Sequence, residues 1–306
     1  MAERAKPSVR VGMGGWQLEP FNGIFYPAKQ PKGFRKLQFY SRYFDIVEVN
    51  ATFYSTALTP KNAFQWLEDV AENTDFVFSV KLFKGFTHSG DATQDDVKST
   101  YRLLEPMAAE EKLFGLVMQF PYGFTNTEEN RTHLQKLERA FKSFRLFVEV
   151  RHNSWNTDEA MDFFKENGLN LINVDLPQIK KHMPLTSFAE NGVAYFRLMG
   201  RNAKSWDTRF RKGVSASESG RYLYNYSEDE LKQIAAVIRE TSLRVDESAT
   251  ILHNDPQGYS LFNGIQLRSI LQSDEKRLVP SNLLSAFPQL KTIARTDEPG
   301  NLFSQG

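Results

Sequence analysis

The stretch LFVEVRHNSW, residues 146–155, opens apolar and closes on Glu149, Arg151 and His152. A carboxylate, a guanidinium and an imidazole at the end of a buried segment can move protons and grip an anion if they reach a common space. The same ending recurs along the chain. Glu48 and Asn50 finish the run 46–50, Lys81 falls near the end of 76–82, and Gln119 near the end of 113–120. Asp175 lies in 171–176 and Arg197 in 193–200, while His253, Asn254 and Asp255 close 249–255. A spacing of two puts Glu48 with Asn50, and Glu149 with Arg151, on one face of an extended strand.

These residue types define two kinds of chemistry. Glu48, Glu149 and Asp175, beside Lys81 and His152, can supply an acid and a base if unlike surroundings separate their pKa values. That would serve a hydrolase or an isomerase. Lys81, Arg151 and Arg197 can hold an anion, because guanidinium forks match phosphate and carboxylate oxygens. The expected catalytic set is therefore Glu48, Lys81, Glu149, His152 and Asp175. The expected substrate-binding set is Asn50, Gln119, Arg151, Arg197 and Asn254, with Trp16 and Tyr54 walling the pocket. The competing reading is a closed salt-bridge network that anchors loops. A complete ring of polar strand ends weighs against it, since apolar layers would fill a barrel at lower cost.

Something must bring these strand ends together. Eight short runs rich in Val, Ile and Phe (9–15, 46–50, 76–82, 113–120, 146–150, 171–176, 193–200 and 249–255) suit buried parallel strands. Helical patterns separate them. Thr59-Pro60 offers a helix start, Asn156 with Glu159 and Ser227 with Glu230 offer capping boxes, and Gly168 offers a helix end. Residues 177–192, with two prolines, predict no regular helix. The alternation predicts a TIM-like (β/α)8 barrel with its polar residues at the C-terminal mouth. A doubly wound sheet is the competitor, but GMGGW lacks the frame of a dinucleotide fingerprint. With no repeat or linker, 1–306 reads as a single domain: a barrel over roughly 9–273, then a C-terminal helix over 281–294 that could close the barrel's bottom.

Composition narrows the classes. The chain is 41% hydrophobic and 25% charged, as soluble globular chains are. A net charge of +1 gives no global argument for nucleic acid or membrane. The absence of cysteine excludes disulfides and thiolate zinc, and fits a cytoplasmic protein. The five histidines, His88, His133, His152, His182 and His253, form no zinc-type pair. Glu149, Asp175, Asp255 and His253 would suit magnesium or manganese, but neighbouring cations repel a metal. No cofactor is expected, with a divalent ion as the open alternative.

One long segment, 201–226, mixes Arg201, Lys204, Arg209, Arg211, Lys212 and Arg221 with Trp206, Tyr222, Tyr224 and Tyr226. It follows the seventh strand, where such barrels often bind phosphate. Basic residues interleaved with aromatics also suit single-stranded nucleic acid. A solvated lid over a small ligand is the simpler reading.

Several stretches together carry a family resemblance: VRVGMGGWQLEPFNGIFYP, FDIVEVNATFY, FSVKLFKGFTH, MQFPYGF, VEVRHNSW, YFRLMG and HNDPQGYSLFNGIQL. In this order, over roughly 9–270, the chain resembles the YecE-like proteins, the domain-of-unknown-function family seventy-two. The resemblance implies a TIM-like barrel with a polar pocket at its mouth and assigns no reaction. Two departures stand out: Gly14-Gly15-Trp16 follows Met13 where the family has Gly-Ser-Gly-Trp, and Met199-Gly200 replaces His-Gly. The sequence therefore predicts a barrel enzyme acting on a small anionic ligand, phosphorylated or sugar-like. The alternative is a nucleic-acid binder or phosphodiesterase using the mouth and 201–226.

Overall fold

The computed structural model describes residues 7–179, 181–207, 220–272 and 276–296. Its strands are β1 (Ser8–Met13), β2 (Ile46–Val49), β3 (Val77–Lys81), β4 (Leu113–Gln119) and β5 (Leu146–Glu149), then β6 in two pieces (Asn170–Leu171 and Asn173–Asp175), β7 (Val193–Leu198) and β8 (Glu247–Leu252). All neighbours pair in parallel. The first piece of β6 pairs with β5 and the second with β7, so this one segment closes the sheet into a barrel. The expected (β/α)8 architecture is what the chain adopts.

Helices follow seven of the eight strands: Lys36–Ser41, Pro60–Asp69, Gln94–Ala109, Glu128–Phe141, Asp158–Glu166, Glu228–Ser242 and Tyr259–Leu271. Ser227 accepts from the Glu230 amide while the Glu230 side chain reaches back to the Ser227 amide, the reciprocal cap expected there. The box placed at Asn156 is corrected by one residue. Thr157 is the N-cap and accepts from the Ala160 amide, its hydroxyl doing what the neighbouring amide side chain could equally have done. Gly168 ends that helix at φ 63°, a left-handed position that favours glycine. The described residues of segment 177–192 form no helix, as its prolines predict.

The C-terminal element differs from expectation. It is a helix over Ser281–Ala286 followed by a 3-10 turn over Pro288–Thr292, not one helix to 294. It does not close the barrel's bottom. Phe287 stacks on Phe262, ring centroids 4.7 Å apart, and Asn282 donates to the Tyr26 carbonyl in the loop after β1. Its apolar side chains thus cover the outer flank of the last barrel helix. The bottom is closed by charge: Glu247 takes Arg10 at 3.1 Å and Arg145 at 2.6 Å. Above that lies an apolar plug, with Phe114 stacked on Phe147 at 5.3 Å and Tyr195 tilted over Phe147 at 4.8 Å. No described helix is long and apolar enough to cross a membrane.

Candidate functional site: a cation-lined cleft over a buried ionic layer

Strand register builds the mouth in layers. Glu48 is level with Ser79 on β3, which puts Lys81 two residues higher. Glu149 is level with Gln119 on β4, which puts Arg151 two residues above Glu149. Period two keeps each pair facing inward.

The lower layer is ionic and closed. Arg197 is 1% exposed; its guanidinium donates to Glu48 Oε1 at 2.8 Å and to Glu149. Arg151 Nε donates to the other oxygen of Glu149 at 2.7 Å. Tyr195 donates to Glu48 Oε2 at 3.0 Å and its hydroxyl lies 2.7 Å from Ser79. Two arginines thus balance two glutamates, and the carboxylates are fully buried. Burial alone would raise the pKa of Glu48, but Arg197, His253 and Lys81 outweigh it and hold the carboxyl well below the usual range. His253 Nε2 lies 2.8 Å from Arg197 and 3.2 Å from Glu48. Burial, then Arg197, lower its pKa to about 4, so the ring is neutral at pH 7. Gly14 makes room for that ring: a Cβ there would come within 2.3 Å of it.

Over this layer opens a cleft of about 720 Å3. Lys81, Lys84, Arg151 and Arg221 line it, and among the described residues no aspartate or glutamate does. Arg151 Nη2 is buried without a hydrogen-bond partner among the described residues. Lys81 is 8% exposed, and its ammonium sits 4.0 Å from the centre of the Phe53 ring. Among the described residues no carboxylate lies within ion-pair distance of it. Arg151 and Arg221 flank Trp206 at 5.5 and 5.0 Å from the indole. Lys81, His88 and His182 all have lowered pKa values. Loss of water is the first cause in each, and Arg151 acts in the same direction on all three. The His182 ring donates from Nδ1 to the Pro177 carbonyl at 2.9 Å, which fixes its tautomer.

Of the residues expected from sequence, Lys81, Tyr54, Gln119 and Arg151 line the cleft. Glu48, Glu149 and Arg197 lie beneath it as the closed ionic layer. Asp175 stands apart from the proton-moving set, because Arg201 takes it through Nε and Nη2 at 3.0 and 2.7 Å and Tyr226 donates to it at 2.7 Å. Asn254 joins that second network, donating to the Tyr224 carbonyl and to Asn263, which bonds the Tyr226 backbone. Asn50 turns to the Gly14 carbonyl and anchors the first loop. His152 accepts the Ser154 amide at Nδ1 and lies edge-on to Tyr122, next to the cleft without lining it. Trp16 is corrected outright: it is 8% exposed and packs edge-on against Trp66 at 5.5 Å, away from the cleft. Its apolar area finds a partner on the helix after β2.

Residues that the sequence did not single out complete the lining: Phe53, Lys84, His88 and Tyr122 sit in the loops after β2, β3 and β4. FYSTAL, KLFKGFTH and MQFPYGF carry them, and their dense aromatic and basic content was the available signal. Arg209, Arg211 and Lys212 lie outside the described residues. The four groups considered for a divalent ion do not converge, since Asp175 is held by Arg201 and Glu149 by two arginines. Among the described residues no group of three or more potential ligands is placed to hold a metal.

A closed parallel barrel with its polar residues stacked at the strand ends makes this a TIM-barrel protein with a mouth pocket. The family model described as protein of unknown function DUF72 matches residues 10–288, so the chain belongs to the DUF72 family. It is similar to UPF0759 protein YunF of Bacillus subtilis, 27% identical over 288 residues that cover 90% of this chain and 99% of that one. A DUF72 family protein from Thermotoga maritima shares the fold with a TM-score of 0.74 at 30% identity, covering 87% of this chain and 99% of its own. One from Enterococcus faecalis shares the fold at 24% identity, with a TM-score of 0.76 and coverage of 89% and 98%.

Proposed function

We propose that this protein is an enzyme acting on a small anionic substrate, phosphorylated or sugar-like, bound in the mouth cleft and turned over by acid–base chemistry. The observation that carries the reading is the lining: among the described residues, four cationic side chains and no carboxylate surround about 720 Å3. That volume suits a small metabolite. The surplus charge is not an artefact of counting the whole mouth, because Glu48 and Glu149 are already matched by Arg197 and Arg151. Among the described residues Lys81 has no carboxylate within ion-pair distance, and only Glu48 one layer down partly offsets its charge.

Proton transfer falls to groups that reach the cleft and have lowered pKa values, Lys81, His88 and His182. An entering anion would stabilise their protonated forms, so binding and protonation are coupled. Glu48 and Glu149 act one layer down: they hold Arg197, which in turn sets the positive field beneath Lys81. Tyr54, 69% exposed, and Tyr122, 39% exposed, offer ring faces at the rim. Such faces suit the apolar side of a sugar or a planar ring.

Titration calorimetry with inorganic phosphate and a panel of sugar phosphates tests the reading. Arg151→Ala should weaken binding by about 10–100-fold, the worth of a charge-assisted hydrogen bond of roughly 1.5–3 kcal/mol. No binding to the wild type, or unchanged binding after Arg151→Ala, contradicts it.

A further inference from the structure

Resting on the anion reading, we infer that Lys81 is a carbonyl-trapping nucleophile, and that the substrate is a small aldehyde or ketone carrying a phosphate or carboxylate. Three observations converge on its side chain. Lys81 ends β3 and faces into the cleft, 8% exposed, so its amine meets whatever enters. Among the described residues its Nζ has neither a hydrogen bond nor an ion pair. A lysine that served only as a buried counter-charge would have a carboxylate beside it, as Arg197 and Arg151 do. Lastly, the Phe53 ring covers it at 4.0 Å and limits its hydration.

The electrostatics favour the same role. Burial first, then Arg197 and Arg151, lower the pKa of Lys81 well below the ordinary amine value, with Glu48 opposing them. A larger share of the amine is then unprotonated near neutral pH, which is the nucleophilic form. Arg151, with Nη2 buried and without a hydrogen-bond partner among the described residues, is the group to hold the anionic end. Gln119, on the next strand and in the same cleft, can donate to the carbonyl oxygen.

The chemistry balances without a co-reactant. The amine lone pair of Lys81 attacks the carbonyl carbon, forming a C–N bond as the C=O π pair moves to oxygen. A proton shift from nitrogen to oxygen gives a carbinolamine. Loss of the remaining N–H proton to the departing hydroxyl releases water and leaves a C=N bond. The resulting imine, once protonated, is an electron sink for proton removal at the adjacent carbon, which fits isomerase or carbon–carbon chemistry.

The test is reductive trapping on the full chain. Wild type, Lys81→Arg and Lys84→Arg are incubated with dihydroxyacetone phosphate and cyanoborohydride, then examined by intact mass and peptide mapping. Phosphate binding is measured on the same preparations. The expected result is one adduct, mapped to Lys81, absent in Lys81→Arg, present in Lys84→Arg, and suppressed by excess inorganic phosphate. A wild type that binds phosphate yet gives no adduct overturns the imine and leaves the anion reading standing. Adducts spread over exposed lysines as readily as Lys81 overturn it too. Failure to bind phosphate at all would remove the anion reading itself. Mapping on the wild type decides the matter even if Lys81→Arg does not fold.

Discussion

Replacing Arg197 with methionine should cost more stability than any surface substitution in this protein. Arg197 is 1% exposed and bridges Glu48 and Glu149, both fully buried. Methionine would leave Glu48 with Tyr195 and a neutral His253, and Glu149 with Arg151 alone. Removing one partner of a buried pair costs about 3–5 kcal/mol, because the remaining charge is uncompensated. Two carboxylates are affected here, so the upper end applies. A typical domain has about 5–15 kcal/mol in total. Equilibrium urea unfolding followed by tryptophan fluorescence reads the loss as a lower midpoint. Lys98→Met is the control: Lys98 pairs with Asp95, their side chains 64% and 88% exposed, and such pairs are worth about 0–1 kcal/mol. Adding Glu48→Gln to Arg197→Met should restore part of the loss, since Glu48 is the carboxylate left without a charged partner, whereas Glu149 keeps Arg151. A loss for Arg197→Met no larger than that of Lys98→Met would refute the view that the lower layer is a closed, mutually dependent ionic unit.

Other expectations concern pH, packing and ligand class. His253 is buried neutral with a pKa of about 4 against about 6.5 unfolded, so the unfolded chain binds the extra proton first. Its contribution is full above pH 6.5 and fades as pH falls toward 4, by roughly 3 kcal/mol at most. Glu48, whose folded pKa is depressed, adds a second loss that begins lower, as pH drops through its unfolded value. Thermal melts from pH 7.5 to 4 should show the first decline in wild type and a flatter curve in His253→Gln; an unchanged curve would contradict the neutral ring. Gly14→Ala should destabilise by about 1–3 kcal/mol, the usual cost of overpacking, because its Cβ would meet the His253 ring; a neutral result in the same unfolding assay would count against the close approach. Oligonucleotide binding should be negligible at physiological salt by fluorescence anisotropy. Tight binding whose salt dependence flattens after neutralising Arg209, Arg211 and Lys212 would favour the nucleic-acid alternative.

The barrel was legible because buried parallel strands leave a plain mark. IVEV, LFGLVMQ and VAYFRL are short and apolar, and their polar ends fall where a mouth needs them. Period two also put Glu149 and Arg151 on one face, and both side chains point inward. It could not assign height. Whether Glu48 lies level with Lys81 or one layer below depends on the stagger between β2 and β3, a tertiary property that one strand's sequence does not encode. That is why Glu48 and Glu149 read as cleft groups when they are the support beneath it. Asp175 was misgrouped for a similar reason, since its partners Arg201 and Tyr226 come from a loop with no periodic pattern. Trp16 carried no signal of its own destination, because Trp66, which receives it, is fifty residues away on a helix whose amphipathic face is set independently.

If the mouth cleft is an anion site built around Lys81 and Arg151, a crystal of the protein soaked in phosphate should hold the ion there. Tetrahedral density should bridge Lys81 Nζ and Arg151 Nη2 and be absent from crystals of Arg151→Ala under the same soak. Phosphate ordered elsewhere on the surface, with the cleft left to water, would contradict it.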